Sequence, residues 1–285
     1  MISLIKRNLL IFFRDRAAVF FSLLSVFIII GLYALFLGDV MVDSLEDIPK
    51  PKFLIDSWIV SGLLAVTSIT ATMGAFGIMI EDRTRKIHKD FFSSPVSKGK
   101  ITVSYILSSY VAGVIMTIVT LILGELYIVS RGGDFLPAVS LIKVFCLILL
   151  TTLASSSMIF FIVSLFKSQN AFASASAVTG AVIGFVMGIY IPIGNLHTGM
   201  QYVIRFFPLS HSGLLLRQTL MEIPLSESFA GSALEEHRIT FEDIFGIVYK
   251  VGDYQLNALH SIVFLLISTV IFSILATINM SRKMK

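Results

Sequence analysis

Six stretches of this chain run for about 20 residues or more without one Asp, Glu, Lys or Arg, long enough for a helix to cross roughly 30 Å of hydrocarbon. They are Ala17–Leu37, Trp58–Ile80, Ile101–Gly124, Val144–Phe166, Ala171–Ile191 and Ala258–Ile278. Apolar residues fill these runs continuously instead of alternating. Because lipid offers no hydrogen bonds, a lone segment satisfies its own backbone as a helix, and the alternating pattern of a barrel strand is missing. The charged fraction agrees: 14% of residues are charged and 56% hydrophobic, where a soluble domain carries about a quarter charged residues. The expected fold is an all-α integral membrane protein with six transmembrane helices, residues 1–285 forming one transmembrane domain. The first run has 16 residues before it and no A-x-A-like cleavage site after it, so it reads as a retained span and not as a signal peptide.

Lys and Arg near the span ends set the expected orientation. Lys6, Arg7, Arg14 and Arg16 precede span one. Six basic residues stand against three acidic between spans two and three, and Arg282, Lys283 and Lys285 follow span six. These regions are expected to be cytoplasmic, which places both termini inside. Residues 192–257, with four basic against seven acidic residues, form the expected external region. The net charge of +4 is thereby a topology signal beside an anionic lipid bilayer and carries no warrant for nucleic acid. Residues 1–16, with Leu4, Ile5, Leu9, Phe12 and Phe13 near one helical stripe, predict an interfacial amphipathic helix before span one. The short "KSQN" at 167–170 predicts that spans four and five pair antiparallel. In the external region, "GMQYVIRFFPLSHSGLLLRQTL" predicts two short helices broken at Pro208. Thr240 with Asp243 three residues later predicts the start of another.

Chemistry-bearing groups are sparse. No G-x-S-x-G, H-E-x-x-H or G-x-x-x-x-G-K-[ST] pattern occurs, Cys146 is the single cysteine, and the five histidines show no metal-ligand spacing. The chain therefore reads as a non-enzyme without a metal or cofactor of its own. Glu125, near the end of span three, reads as a solvated helix end, a partner for Lys143 or Arg131, or a contact for a polar substrate. Ser155, Ser156 and Ser157 in span four either line a polar path or bond neighbouring carbonyls. Ser176, Gly180, Gly184 and Gly188 recur every four residues in span five, a small-residue stripe for close packing with another helix or a second subunit.

The segment "EDRTRKIHKDFFSSPVSKGK", Glu81 to Lys100, interrupts two apolar runs with nine charges in twenty residues. From the residues alone it is either a loop anchoring topology or a docking helix. Ile87, Phe91 and Phe92 fall at i, i+4, i+5 and form an apolar edge. Around them Glu81, Asp82, Arg83, Arg85, Lys86, Lys89 and Asp90 supply charge for register, and Pro95 ends the helix.

Taken with the basic amphipathic start "IKRNLLIFFRDRAAVFFSLL", the six spans, Ser94-Pro95 followed by Lys98, and "FFPLSHSGLLLR" before span six, this layout resembles the membrane subunits of ABC-2 type exporters. That resemblance implies that 81–100 is a coupling segment docking on a cytoplasmic ATPase subunit, which binds the ATP and Mg. It also implies a second membrane subunit, identical or paralogous. The cargo it implies is an amphipathic compound, drug, lipid-like molecule or peptide, moved out across the cell membrane. The many members' glycine early in this inner loop is missing from "RTRKIHK". The alternative is a secondary transporter or channel without an ATPase, which predicts ionisable groups near mid-membrane.

Overall fold

The computed structural model describes residues 1–45, 48–87, 96–166, 168–231, 234–252 and 254–283, and each of the six expected spans is a helix long and apolar enough to cross a membrane. The chain opens with α1 (Ile2–Arg14) and turns at Asp15, which is extended and whose carboxylate accepts from Ala18 N at 3.0 Å to cap α2 (Arg16–Leu32). Span one continues through a π-helical turn, Tyr33–Leu37, into α3 (Gly38–Asp43). The remaining spans are α4 (Pro51–Thr84), α5 (Lys98–Ser130), α6 (Ala138–Leu165) and α7 (Gln169–Val186), with the last span, α12 (Ala258–Lys283), closing the chain.

Helix α4 is the hub of the bundle. Proline suits its first position, where a missing N–H loses no helical bond, and the helix runs for 34 residues with 83% of its apolar window buried. It packs against α2, α5, α6 and α7. Helices in lipid gain nothing from excluding water, so close approach of small residues decides which faces meet. A Cβ on Gly124 of α5 would stand 2.5 Å from Val60 of α4, and one on Gly113 would meet Thr72 and Thr152 together. The buried hydroxyls of this core bond mostly backward along their own helices: Thr67 to Leu63 O, Thr72 to Ser68 O, Thr117 to Gly113 O. That arrangement leaves few polar atoms facing lipid.

Several expectations are corrected. Span five does not pair along span four; it packs on α4, where Phe172 lies over Gly77, while span four takes α12 as its main neighbour. Span five also stops at Val186, five residues short of the expected Ile191. Thr240 is not a cap. It sits inside α11 (Glu235–Ile244) and bonds back to Glu236 O at 3.0 Å. The favourable place for the acidic pair Glu235–Glu236 is the positive end of that helix. A two-stranded antiparallel hairpin, β1 (Tyr249–Val251) and β2 (Tyr254–Leu256), adds strand to the expected all-α fold.

The break at Pro208 stands as expected. It separates α8 (Thr198–Phe206) from α9 (Ser210–Leu220), Phe207 being extended as a residue before proline must be. Helix α9 is buried along nearly its whole length among α4, α6 and α12, and α10 (Glu222–Ser228) follows it. The bundle thus has a basic end, carrying α1 and the Glu81 region, and a hairpin end, carrying α8–α11 and the strands.

Candidate functional site

At the basic end, the last turns of α4 are cross-tied to four other helices. Asp82, 2% exposed, receives both guanidinium nitrogens of Arg7, at 2.5 and 2.8 Å, and the Tyr105 hydroxyl at 2.6 Å. Hydrogen bonding to Asp82 raises the Arg7 guanidinium above its usual value, against the desolvation that opposes it. Asn8, the next residue on α1, donates to Ser108 Oγ at 3.3 Å. Arg83 points the other way, donating to Phe166 O at 3.0 Å and touching Met280 Sδ at 3.1 Å. A guanidinium on the final carbonyls of α6 is also favoured by that helix's dipole.

Two residues expected to meet an ATPase, Asp82 and Arg83, are therefore turned into the bundle. Glu81 and Arg85 form an exposed i,i+4 pair at 2.8 Å, worth a few tenths of a kcal/mol. Lys86 adopts a left-handed φ of 63° that ends the helix, and Ile87 follows half-buried. Lys89, Asp90, Phe91, Phe92 and Pro95 lie outside the described residues.

Glu125 is not a solvated helix end. It is 7% exposed, and its Oε2 accepts from Leu136 N at 3.0 Å, folding the 131–137 loop back onto α5. Neither expected partner reaches it, because Lys143 pairs with Glu222 at 3.1 Å and Arg131 with Asp56 at 2.9 Å. Ser155 faces Ser68 at 3.0 Å between α6 and α4, and Ser156 is 1% exposed, so both sit within the helix contacts of one chain. Of the small-residue stripe, Ser176, Gly180 and Gly184 lie on α7. Gly188 falls beyond its end at φ +65°, and the Tyr190 ring lies against Gly184. A Cβ on Gly180 would meet open space.

The hairpin end holds what the sequence reading passed over. Arg217 of α9 is 0% exposed; its Nη2 donates to Met187 O and its guanidinium carbon lies 5.4 Å from the centroid of the Trp58 ring. Burial pulls its pKa down to about 10, which leaves it a cation at neutral pH. Trp58 in turn donates to Phe245 O at 2.8 Å and meets the Phe245 ring edge-on at 5.1 Å, with Phe241 stacked behind at 4.0 Å. An arginine closing an apolar helical run was the only signal for this plug.

His211, six residues before Arg217 on the same helix, has Nε2 at 2.9 Å from Arg205 O and Nδ1 at 3.0 Å from Ser261 Oγ. A carbonyl only accepts, so Nε2 carries the proton and Nδ1 accepts from the serine in the neutral ring. Desolvation lowers its pKa from the ordinary value, with the Arg205 carbonyl acting in the opposite sense. Below about pH 6.5 the unfolded chain binds a proton that the folded chain resists. Stability is therefore complete above that pH and falls as the solution is acidified toward the folded-state value. The melting temperature of the purified protein should decline below pH 6.5, and His211→Gln should flatten that limb. An unchanged limb in the variant would show that the histidine is not the group responsible.

The family model described as "ABC-2 family transporter protein" matches residues 39–278. No curated protein matches the chain.

Proposed function

Because the chain belongs to the ABC-2 transporter family, we propose that it is the membrane permease subunit of an ATP-driven exporter, with ATP and Mg bound by a separate cytoplasmic ATPase. In this reading the basic end faces the cytoplasm, α1 lies in the inner interface, and residues 81–100 are the coupling segment that the ATPase pushes. The observation that carries it is the cross-tied root of that segment. Asp82 joins α4 to α1 and α5, and Arg83 joins it to α6 and α12. A displacement there cannot be absorbed by one loose loop, since neighbouring residues are bonded to four other helices.

Helix α4 then carries the movement across. As a helix of 34 residues it is about 50 Å long at 1.5 Å per residue, and its far part holds Trp58 against Phe245 and Arg217. Tilting this rod at the basic end shifts the aromatic and cationic plug at the hairpin end, which is the geometry needed to open one side as the other closes. The exposed side chains Glu81, Arg85 and Lys86 supply charge for the ATPase groove, with Phe91 and Phe92 as the apolar edge. The open face at Gly180, beside Ser176, is offered to a second membrane subunit, so that the pathway forms between two permeases. An amphipathic cargo fits a chain whose lipid-facing helices carry almost no charge. Of the buried carboxylates on the spans, Asp56 and Asp82 lie within about two turns of the ends of α4 and Glu125 within about two turns of the end of α5, and not at mid-membrane, where ion-coupled transport needs them.

The test is affinity purification from the native membrane in mild detergent. An ATPase chain is expected at about a one-to-one ratio, and Phe91→Asp is expected to remove it while leaving membrane insertion unchanged. An ATPase that still co-purifies with the variant would overturn the coupling assignment. If no ATPase is captured, even after crosslinking in the membrane, the exporter reading itself fails.

A further inference from the structure

Arg217 presents an imbalance of charge and of hydrogen bonding. Its Nη2 is bonded to Met187 O, but Nε and Nη1 have no acceptor, and both are buried. An unmet buried donor is unfavourable, more so when charged, and an uncompensated buried ion is more unfavourable still. Guanidinium cannot escape by losing its proton at neutral pH.

Among the described residues no carboxylate pairs with Arg217. Asp56 is held by Arg131, Asp243 by Lys250, Glu222 by Lys143, Glu227 by Lys50 and Glu242 by Arg238, while Glu125 takes the Leu136 amide. The nearby phenols carry no negative charge. Tyr33 gives its proton to Ile189 O, and burial raises Tyr249 above its ordinary value, so it stays neutral. What Arg217 does receive is partial: the C-terminal carbonyl of Met187, the negative face of Trp58, and no full charge.

The walls stand close to the guanidinium. Three glycines wall the guanidinium, and a Cβ built on Gly62, Gly188 or Gly246 would stand 3.5, 3.5 and 3.2 Å from its nitrogens. Ile189 and Ile193 close over the same glycines. An ordered water would satisfy the donors but not the charge, and a carboxylate on a bulky cargo has no way past these side chains.

We infer that Arg217, with Nε and Nη1 as donors, holds a small monovalent inorganic anion of chloride's class at the hairpin end of the bundle. The anion completes the plug: it fixes the guanidinium between Trp58 and the end of α7, and it must be admitted or released when these elements separate.

The chain contains a single tryptophan, Trp58, and it is 0% exposed, so the site reports on itself. Full-length protein in lipid nanodiscs is titrated with sodium bromide against sodium gluconate at constant ionic strength, following Trp58 fluorescence. Bromide quenches by contact, and a buried ring is quenched only by an ion that enters. Saturable quenching is expected, competed by chloride and absent in Arg217→Met. Arg217→Lys folds with the charge in place but loses the planar fork, and should weaken half-saturation roughly fivefold or more. Absence of quenching, quenching that rises linearly without saturating, or quenching equal in Arg217→Lys and the parent would overturn the site and leave an ordered water as the acceptor. The readout is binding and not transport, so it stands or falls separately from the exporter reading.

Discussion

Arg7→Met is expected to destabilise the purified protein by about 3–5 kcal/mol, and Asp82→Asn by distinctly less, about 1–2 kcal/mol, although both remove the same ion pair. The asymmetry comes from burial. The Asp82 side chain is 3% exposed and that of Arg7 30%. Losing the guanidinium takes two charge-assisted bonds from a carboxylate that has no route to water, while the Tyr105 hydroxyl still donates to it. Losing the carboxylate's charge leaves an amide that still accepts from Tyr105 and an arginine long enough to reach the interface. The double variant should recover most of the Arg7→Met loss, since it leaves no unpaired charge. On the proposed exporter reading, both single variants should turn over ATP with transport reduced in reconstituted complexes, because the Arg7 guanidinium of α1 is no longer ion-paired to the end of α4. Thermal unfolding at pH 7 decides the stability claim. Equal losses below about 1 kcal/mol in the two variants would mean the pair is solvated like an ordinary surface bridge.

The spans were legible because the physics that sets them is local: a charge-free run of sufficient length has one way to satisfy its backbone in lipid. Their ends were less so, and the errors cluster there. Asp56 was assigned to a loop because a span was closed at the first charge. In the structure α4 starts five residues earlier, at Pro51, and Arg131 from the end of α5 compensates the buried carboxylate. That compensation is a contact across 75 residues of sequence and no local pattern encodes it. The partner of Glu125 likewise lies outside its own helix, being the amide of Leu136 in the loop beyond.

The hairpin end shows a second kind of blindness. The break at Pro208 was read from proline's geometry, but how deep α9 sits depends on which helices leave room for it, and that is decided by small residues on α4. Gly62 admits the Arg217 guanidinium and Ile189 where a Cβ would stand 3.5 Å from Nη2 and 2.5 Å from the isoleucine; it does not look exceptional in a chain with 19 glycines. The hairpin did leave a signal, Gly252-Asp253 between "YKV" and "YQL", a two-residue turn between β-formers, with Gly252 at φ +61°.

The same dependence on small residues fixes the last prediction. Gly113→Val is expected to destabilise the bundle by at least about 3 kcal/mol, the upper end of what overpacking does in a close-packed core. Glycine-to-valine alone would favour helix by a few tenths of a kcal/mol, so the sign rests on whether the neighbours can yield. They cannot easily do so. A Cβ at this position would lie 2.5 Å from Thr72 Cγ2 and 2.8 Å from Thr152 Cγ2, both on β-branched side chains with few rotamers. Thr72 is further held by its hydroxyl, bonded to Ser68 O at 2.8 Å and Ile69 O at 2.9 Å. Rotating its methyl away would break both bonds inside a 0% exposed contact of three spans. The obstructing atoms are methyls, so Thr72→Ser with Thr152→Ser removes them and keeps the hydroxyls. In that background Gly113→Val should lose no more than about 1 kcal/mol. A loss that the two serines do not relieve would show that α5 meets α4 and α6 elsewhere, and that the close crossing at Gly113 is not what sets the spacing of the bundle's core.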